Sequence, residues 1–279
     1  MDWTAARERL RAPIFAPLQP FLSRLPEDRW PTQAELTSLA RGIRTADGRP
    51  LAFVAPAALE ARASYEAAIA ATGEVPTRTD NWHDLFNALC WMAWPLAKAA
   101  INAQHAAILG ERGTEEARRR GPERDALTLF DEGGVVVASS DVALLGLIRD
   151  FEWKALFWER RVDVEARMKF FAFGHACLEQ SLAPYIGMVA KTVFVPVDEL
   201  FHALPVESQV ARVDELLAGH FASRVRFASP KSMAPMPVLG VPGWHFAAQD
   251  EAFYDDKDHF RGSRPDPREA ARPTGIIRP

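Results

Sequence analysis

The stretch from Trp82 to about Leu109 constrains the fold most. At about 100° per residue, Leu85, Leu89, Met92, Leu96 and Ala100 share one side of a helical wheel. His83, Asn87, Trp91, Trp94, Lys98, Asn102 and His105 share the other, within roughly a third of the wheel. An apolar stripe of that length must be covered by other protein, so the chain needs a substantial helical core. Asp80 or Asn81 is the expected N-cap. Pro95 lies inside the pattern and should kink or divide the helix.

Other segments add shorter elements. Thr32 caps an expected helix over 33–43, residues 51–54 suit a short strand, and 57–72 read as a helix with Gly73 at its end. The charged stretch 111–123 reads as a loop or an irregular helix extension. Ala126–Phe130 and Val135–Ala138 flank Gly133-Gly134 and predict a hairpin near 126–138, with a further strand near 191–197. Helices follow over 141–149, 176–182 and 207–221, and 151–161 is rich in aromatic residues. The fold class is α+β: a mostly helical single domain over 1–260 with a small antiparallel sheet. Its first 56 residues are Pro-punctuated and irregularly helical, and 261–279 form a loosely ordered Pro/Arg-rich tail.

Charge narrows the partners. Thirty-three Lys+Arg against 37 Asp+Glu give a net charge of −4, and without a basic surplus nucleic acid is not an expected ligand. The N-terminus has no apolar signal segment, and the run Leu85–Ala97 is too short for a membrane span. Two cysteines, Cys90 and Cys177, make no disulfide framework, so a reducing cytoplasm is the expected compartment.

Candidate chemistry collects at element starts. His83 and Asn87, spaced i and i+4, sit side by side on one turn. Asp84 suits a metal ligand or a helix-dipole role. His175 follows Gly174 at a helix start, with Glu179 four residues on, and suits a ligand or general base as well as a buried structural histidine. Asp125 is a candidate ligand or orienter, whereas Asp131 and Glu132 read as turn chemistry. Asn87, Trp91 and Lys191 are candidate substrate contacts. Lys98 and His105 read first as part of a solvated face.

Imidazole and carboxylate ligands suit a divalent metal, here His83, Asp84 and His175. The expectation is therefore a metal-assisted hydrolase acting on a small molecule, with His83, His175 and Asp125 in the catalytic roles. The alternative is a non-catalytic small-ligand or protein-binding domain. It would use a tryptophan-rich groove built from Trp91, Trp94, the 153–158 cluster and the proline-rich 230–245 segment. P-loop, dinucleotide, serine-hydrolase and zincin motifs are absent, as is any C-x-x-C pair. A thiol nucleophile beside an imidazole, Cys90 with His83 or Cys177 with His175, is a further reading.

Five segments carry a resemblance: Asn81–Leu89, Arg124–Glu132, Phe173–Ala176, Gly187–Lys191 and Pro237–Trp244. With these the chain, from about residue 50 to 262, resembles the bacterial family called domain of unknown function 3025. The resemblance implies one full-length domain in a bacterial cytoplasm and brings no established activity with it.

Overall fold

A computed structural model describes residues 2–56, 65–116, 121–222 and 229–262. The expected tail beyond 262 and the first half of the 57–72 helix lie outside the described residues, as do 117–120 of the charged stretch.

Helix α1 (Gln33–Leu39) begins with a capping box: Thr32 accepts from the Glu35 backbone while the Glu35 carboxylate accepts from Thr32 N–H. Strand β1 (Ala52–Val54) pairs in parallel with β2 (Glu74–Pro76), joined through α2 (Tyr65–Thr72). Gly73 follows α2 at φ +79°, where an added Cβ would run into the Pro50 backbone, so the glycine permits both the left-handed exit and the close approach.

Asn81 caps α3 (Trp82–Ala93) by accepting from the Asp84 N–H at 3.0 Å. The expected division at Pro95 is present: Trp94 leaves helical geometry and α4 (Pro95–Glu116) restarts. The new helix end is closed from elsewhere, since the Asp214 carboxylate accepts from Leu96 N–H (2.9 Å) and Ala97 N–H (2.8 Å). Asp214 belongs to α9 (Val206–Phe221), which packs along α4.

The expected hairpin at 126–138 does not form. Its first half lies in α5 (Pro122–Gly133), and only the second is a strand, β3 (Gly134–Ser139). Pro122 starts the helix at N1 with Glu123 and Asp125 in its first turn, both favourable there. Ala126, Leu127 and Phe130 bury one helical face, a spacing that overrides the glycine pair as a turn signal. Val135-Val136-Val137 is the β-branched run, and all six residues of β3 are buried, as expected for a central strand covered on both faces.

The main sheet has the order β4-β3-β5-β6, with β4 (Met168–Ala172), β5 (Val189–Pro196) and β6 (Ala234–Pro237). It is mixed where an antiparallel sheet was expected, because β3 pairs with β5 in parallel. A long excursion separates β3 from β5: α6 (Val142–Arg149), a π-helical turn over 155–159, α7 (Arg161–Arg167), β4 and α8 (His175–Gln180). The strand expected near 191–197 is β5. The fold is thus α+β, mostly helical with small sheets, as its residues predict.

One apolar core runs from Trp3 to Phe260. Trp3, Trp30 and Trp82 pack together with centroids 4.5–5.4 Å apart, Trp3 stacked on Trp82 and Trp30 tilted against both, and fix the N-terminal segment to α3. Trp94 is fully buried against Phe171 and Phe173. Among the described residues no helix is long and apolar enough to cross a membrane.

Candidate functional site

The polar face of the divided helix is buried. Asn87, Lys98, Asn102 and His105 are all core residues, with Lys98 only 4% exposed, so a solvated face does not describe them. They line a cavity of about 490 Å³ enclosed by α2, α3, α4, α5 and the start of α8. Because α3 and α4 break at Trp94, the Lys98 ammonium reaches back to Asn87 Oδ1 at 2.9 Å. It also donates to both Asp131 oxygens at 2.6 and 2.8 Å and lies 5.4 Å above the Trp91 ring. Burial would push the Asp131 carboxyl up, but Lys98 and the His175 ring outweigh it and hold it below its ordinary value.

His83 and His175 meet at one end of the cavity. Their Nε2 atoms are 3.1 Å apart and the rings stand edge to face. Glu132 Oε2 lies 3.3 Å from His175 Nε2 and 3.9 Å from His83 Nε2. The point equidistant from three atoms so spaced is about 2.0 Å from each, the length of a bond from a small divalent ion to imidazole nitrogen or carboxylate oxygen. These three residues are a group that could hold a metal ion.

Each imidazole also has a carboxylate behind it. His83 Nδ1 is 3.0 Å from Glu179 Oε2, and His175 Nδ1 faces Asp131 Oδ2 at 3.7 Å. The Glu179 hydrogen bond turns the His83 Nε2 lone pair toward the cavity, whereas Asp131 is too far from His175 Nδ1 for a hydrogen bond and acts on it through charge alone. Burial, reinforced by the charges of Lys98 and His83 against the pull of Asp131, lowers His175 to about 4 and keeps it neutral, as a ligand must be. Burial and the neighbouring carboxylates of Asp131 and Glu179 push Glu132 up.

Backbone packing sets this meeting point. Gly174, at the N-cap of α8, lies against the Glu132 carbonyl and the Gly134 nitrogen so closely that no Cβ fits. Its N–H donates to Gly134 O at 2.9 Å. The end of α5 and the start of α8 are thereby pinned together, which brings His175 onto Glu132.

Of the residues singled out from the sequence, His83, Asp84, Asn87, Trp91 and His175 line the cavity. Asp84 does not converge on the two histidines. Its carboxylate takes Arg78 Nε and Nη2 at 2.9 Å each and the Arg78 backbone N–H at 2.6 Å. Burial pushes Asp84 up, and Arg78 more than reverses it. Asp125 and Lys191 are not in the lining: Asp125 occupies the first turn of α5, and Lys191 sits in β5 opposite Gly134 and Pro235. Burial lowers the Lys191 ammonium pKa.

Glu132, which a hairpin would place in its turn, is the third member of the cluster and lies in α5. In a helix, Thr128, Asp131 and Glu132 share a face at i, i+3 and i+4, so the helix signals at Pro122 were the means of finding it. Glu66 carries no signal in the sequence that marks it as a site residue. It lines the cavity, accepts from Asn102 Nδ2 at 2.6 Å, and is raised by burial and the Asp131 charge.

Two other readings fare differently. Cys90 and Cys177 are both buried, with Cys90 donating to the Phe173 carbonyl, and burial raises both thiols, Cys177 to about 12. Neither is an accessible thiolate. The tryptophans do not form an open groove, because Trp91, Trp94 and Trp153 are all core residues. An apolar concavity of about 480 Å³ beside Phe21, Leu96, Val206 and Val210 contains no tryptophan.

Fold and site together define a class: an α+β protein whose helices line a polar cavity ending in a two-imidazole, one-carboxylate cluster. The chain belongs to the family described as protein of unknown function (DUF3025), whose model matches residues 51–264, a span that includes the whole cluster. No curated protein and no solved structure matches it.

Proposed function

We propose that the protein is a metal-assisted hydrolase that takes a small molecule into the helical cavity. The observation that carries this reading is the convergence of His83 Nε2, His175 Nε2 and Glu132 Oε2 to within 3.9 Å of one another at a cavity wall. Two imidazoles and one carboxylate leave a tetrahedral ion an open position for water, whose pKa the ion lowers to about 7. In this role Glu179 orients His83, and the Asp131 charge lies beside His175. The cavity volume, about 490 Å³, supports a small-molecule substrate.

Elemental mass spectrometry on the untagged protein tests the reading, together with His83→Ala and His175→Ala. Near-stoichiometric metal in the wild type, lost in both folded variants, is expected. A metal-free wild type whose melting temperature is unmoved by added divalent ions would refute it.

A further inference from the structure

We infer that the substrate class is an uncharged carbonyl compound, an amide or ester, and not a phosphate ester. This deepens the metal-assisted reading and rests on it.

The charged lining of the cavity is already matched. Arg78 is bidentate on Asp84, and Lys98 is bidentate on Asp131. The Arg124 guanidinium acts on Glu66. All three ammonium protons of Lys98 are taken, two by Asp131 and one by Asn87 Oδ1. Phosphoryl transfer places charge on three equatorial oxygens and calls for cations aimed at them. Here the ion would stand alone, because the three cations of the lining face three carboxylates and Glu132, as its ligand, offsets part of the ion's own charge.

The lining instead offers neutral donors. Because Lys98 holds Asn87 Oδ1, the Asn87 amide must turn its Nδ2 the other way, where it donates to Tyr65 Oη at 3.1 Å. Among the described residues this leaves one Asn87 Nδ2 proton and the Tyr65 hydroxyl proton for a ligand. Asn87 is one helical turn from His83, about 5–6 Å between Cβ atoms. A carbonyl oxygen polarised at the cluster therefore lies within reach of neutral hydrogen bonds, which strengthen as it becomes an oxyanion.

Asn102 donates to the Glu66 carboxylate in the same cavity, and water alone balances the step. Hydroxide, formed from water at the metal by loss of a proton to solvent, adds to the carbonyl carbon, and the C=O electron pair moves to oxygen. That pair then re-forms C=O, and the bond to the amine or alcohol breaks with its electrons on the leaving atom. The leaving atom takes a proton from water. The product carboxylic acid gives its proton to the hydroxide so formed and departs as carboxylate. Water is the only co-reactant.

The test uses the full chain loaded with zinc, titrated calorimetrically with acetohydroxamate and with phenylphosphonate. Acetohydroxamate is expected to bind at least tenfold more tightly. Asn87→Leu should weaken it by about threefold to tenfold at unchanged zinc affinity, and Tyr65→Phe, which removes only the hydroxyl, should weaken it in the same direction. Phenylphosphonate binding as tightly as acetohydroxamate, or hydroxamate affinity unmoved in both variants, overturns the carbonyl assignment. A wild type that takes up no zinc fails at the earlier step and overturns the metal reading with it.

Discussion

Replacing Lys98 by methionine probes the centre of the cavity wall. The Lys98 ammonium is 4% exposed and its Asp131 partner 16%, with N–O distances of 2.6 and 2.8 Å. Removing one partner of a buried pair costs about 3–5 kcal/mol, mostly from the charge left behind. Water reaching Asp131 places this case near the lower end, at about 3 kcal/mol. For a domain of this size that corresponds to a melting temperature lower by roughly 6–12 °C. The cost must shrink as pH falls from 7 to 5, because the stranded carboxyl of Asp131 then takes up a proton. The double variant Lys98→Met/Asp131→Asn removes the stranded charge and should recover at least about 1 kcal/mol relative to Lys98→Met. Urea unfolding followed by circular dichroism, at both pH values, measures each quantity. A loss under about 1 kcal/mol, independent of pH and additive in the double variant, would refute the reasoning.

Three further outcomes follow from the same geometry. Glu179→Gln keeps the shape beside His83 Nδ1 but loses the carboxylate, so zinc affinity measured by chelator competition should drop about 10–100-fold while metal-free unfolding is unchanged; equal affinity would count against the positioning role. Gly174→Ala forces its Cβ into the Glu132 carbonyl and the Gly134 nitrogen, so both the melting temperature and metal uptake should fall, and a variant with wild-type values of both would show that this contact does not set the cluster. His259 is lowered to about 4, chiefly by burial, and its Nδ1 accepts from Gly187 N–H at 2.9 Å. In the metal-free protein the unfolded chain binds the proton first, so stability falls as pH drops from about 6.5 to 4. His175 titrates in the same window, so His259→Gln should reduce that slope without abolishing it, and an unchanged slope in acid unfolding curves would contradict the assignment.

Much of the helical fold was legible because its signals are local. The Thr32 capping box, the Asn81 cap and the break at Pro95 each act within a few residues. The hairpin failed because Gly133-Gly134 carries the same turn signal whether a strand or a helix precedes it; burial of Ala126, Leu127 and Phe130 decided the matter. The parallel pairing of β3 with β5 spans more than fifty residues and leaves no local trace. At the site, His83 and His175 could be singled out by position, but their meeting depends on Gly174 packing under Gly134. Glu132 was obscured by the hairpin error. The Lys98–Asp131 pair was not foreseeable, since an amphipathic wheel cannot tell a polar face covered by other helices from one facing water.

The central claim is most directly tested by anomalous diffraction at the zinc edge from crystals of the zinc-loaded protein. The account predicts one peak, about 2.0–2.1 Å from His83 Nε2, His175 Nε2 and Glu132 Oε2. A zinc peak held by other residues, or no peak at this cluster with zinc in excess, would contradict it.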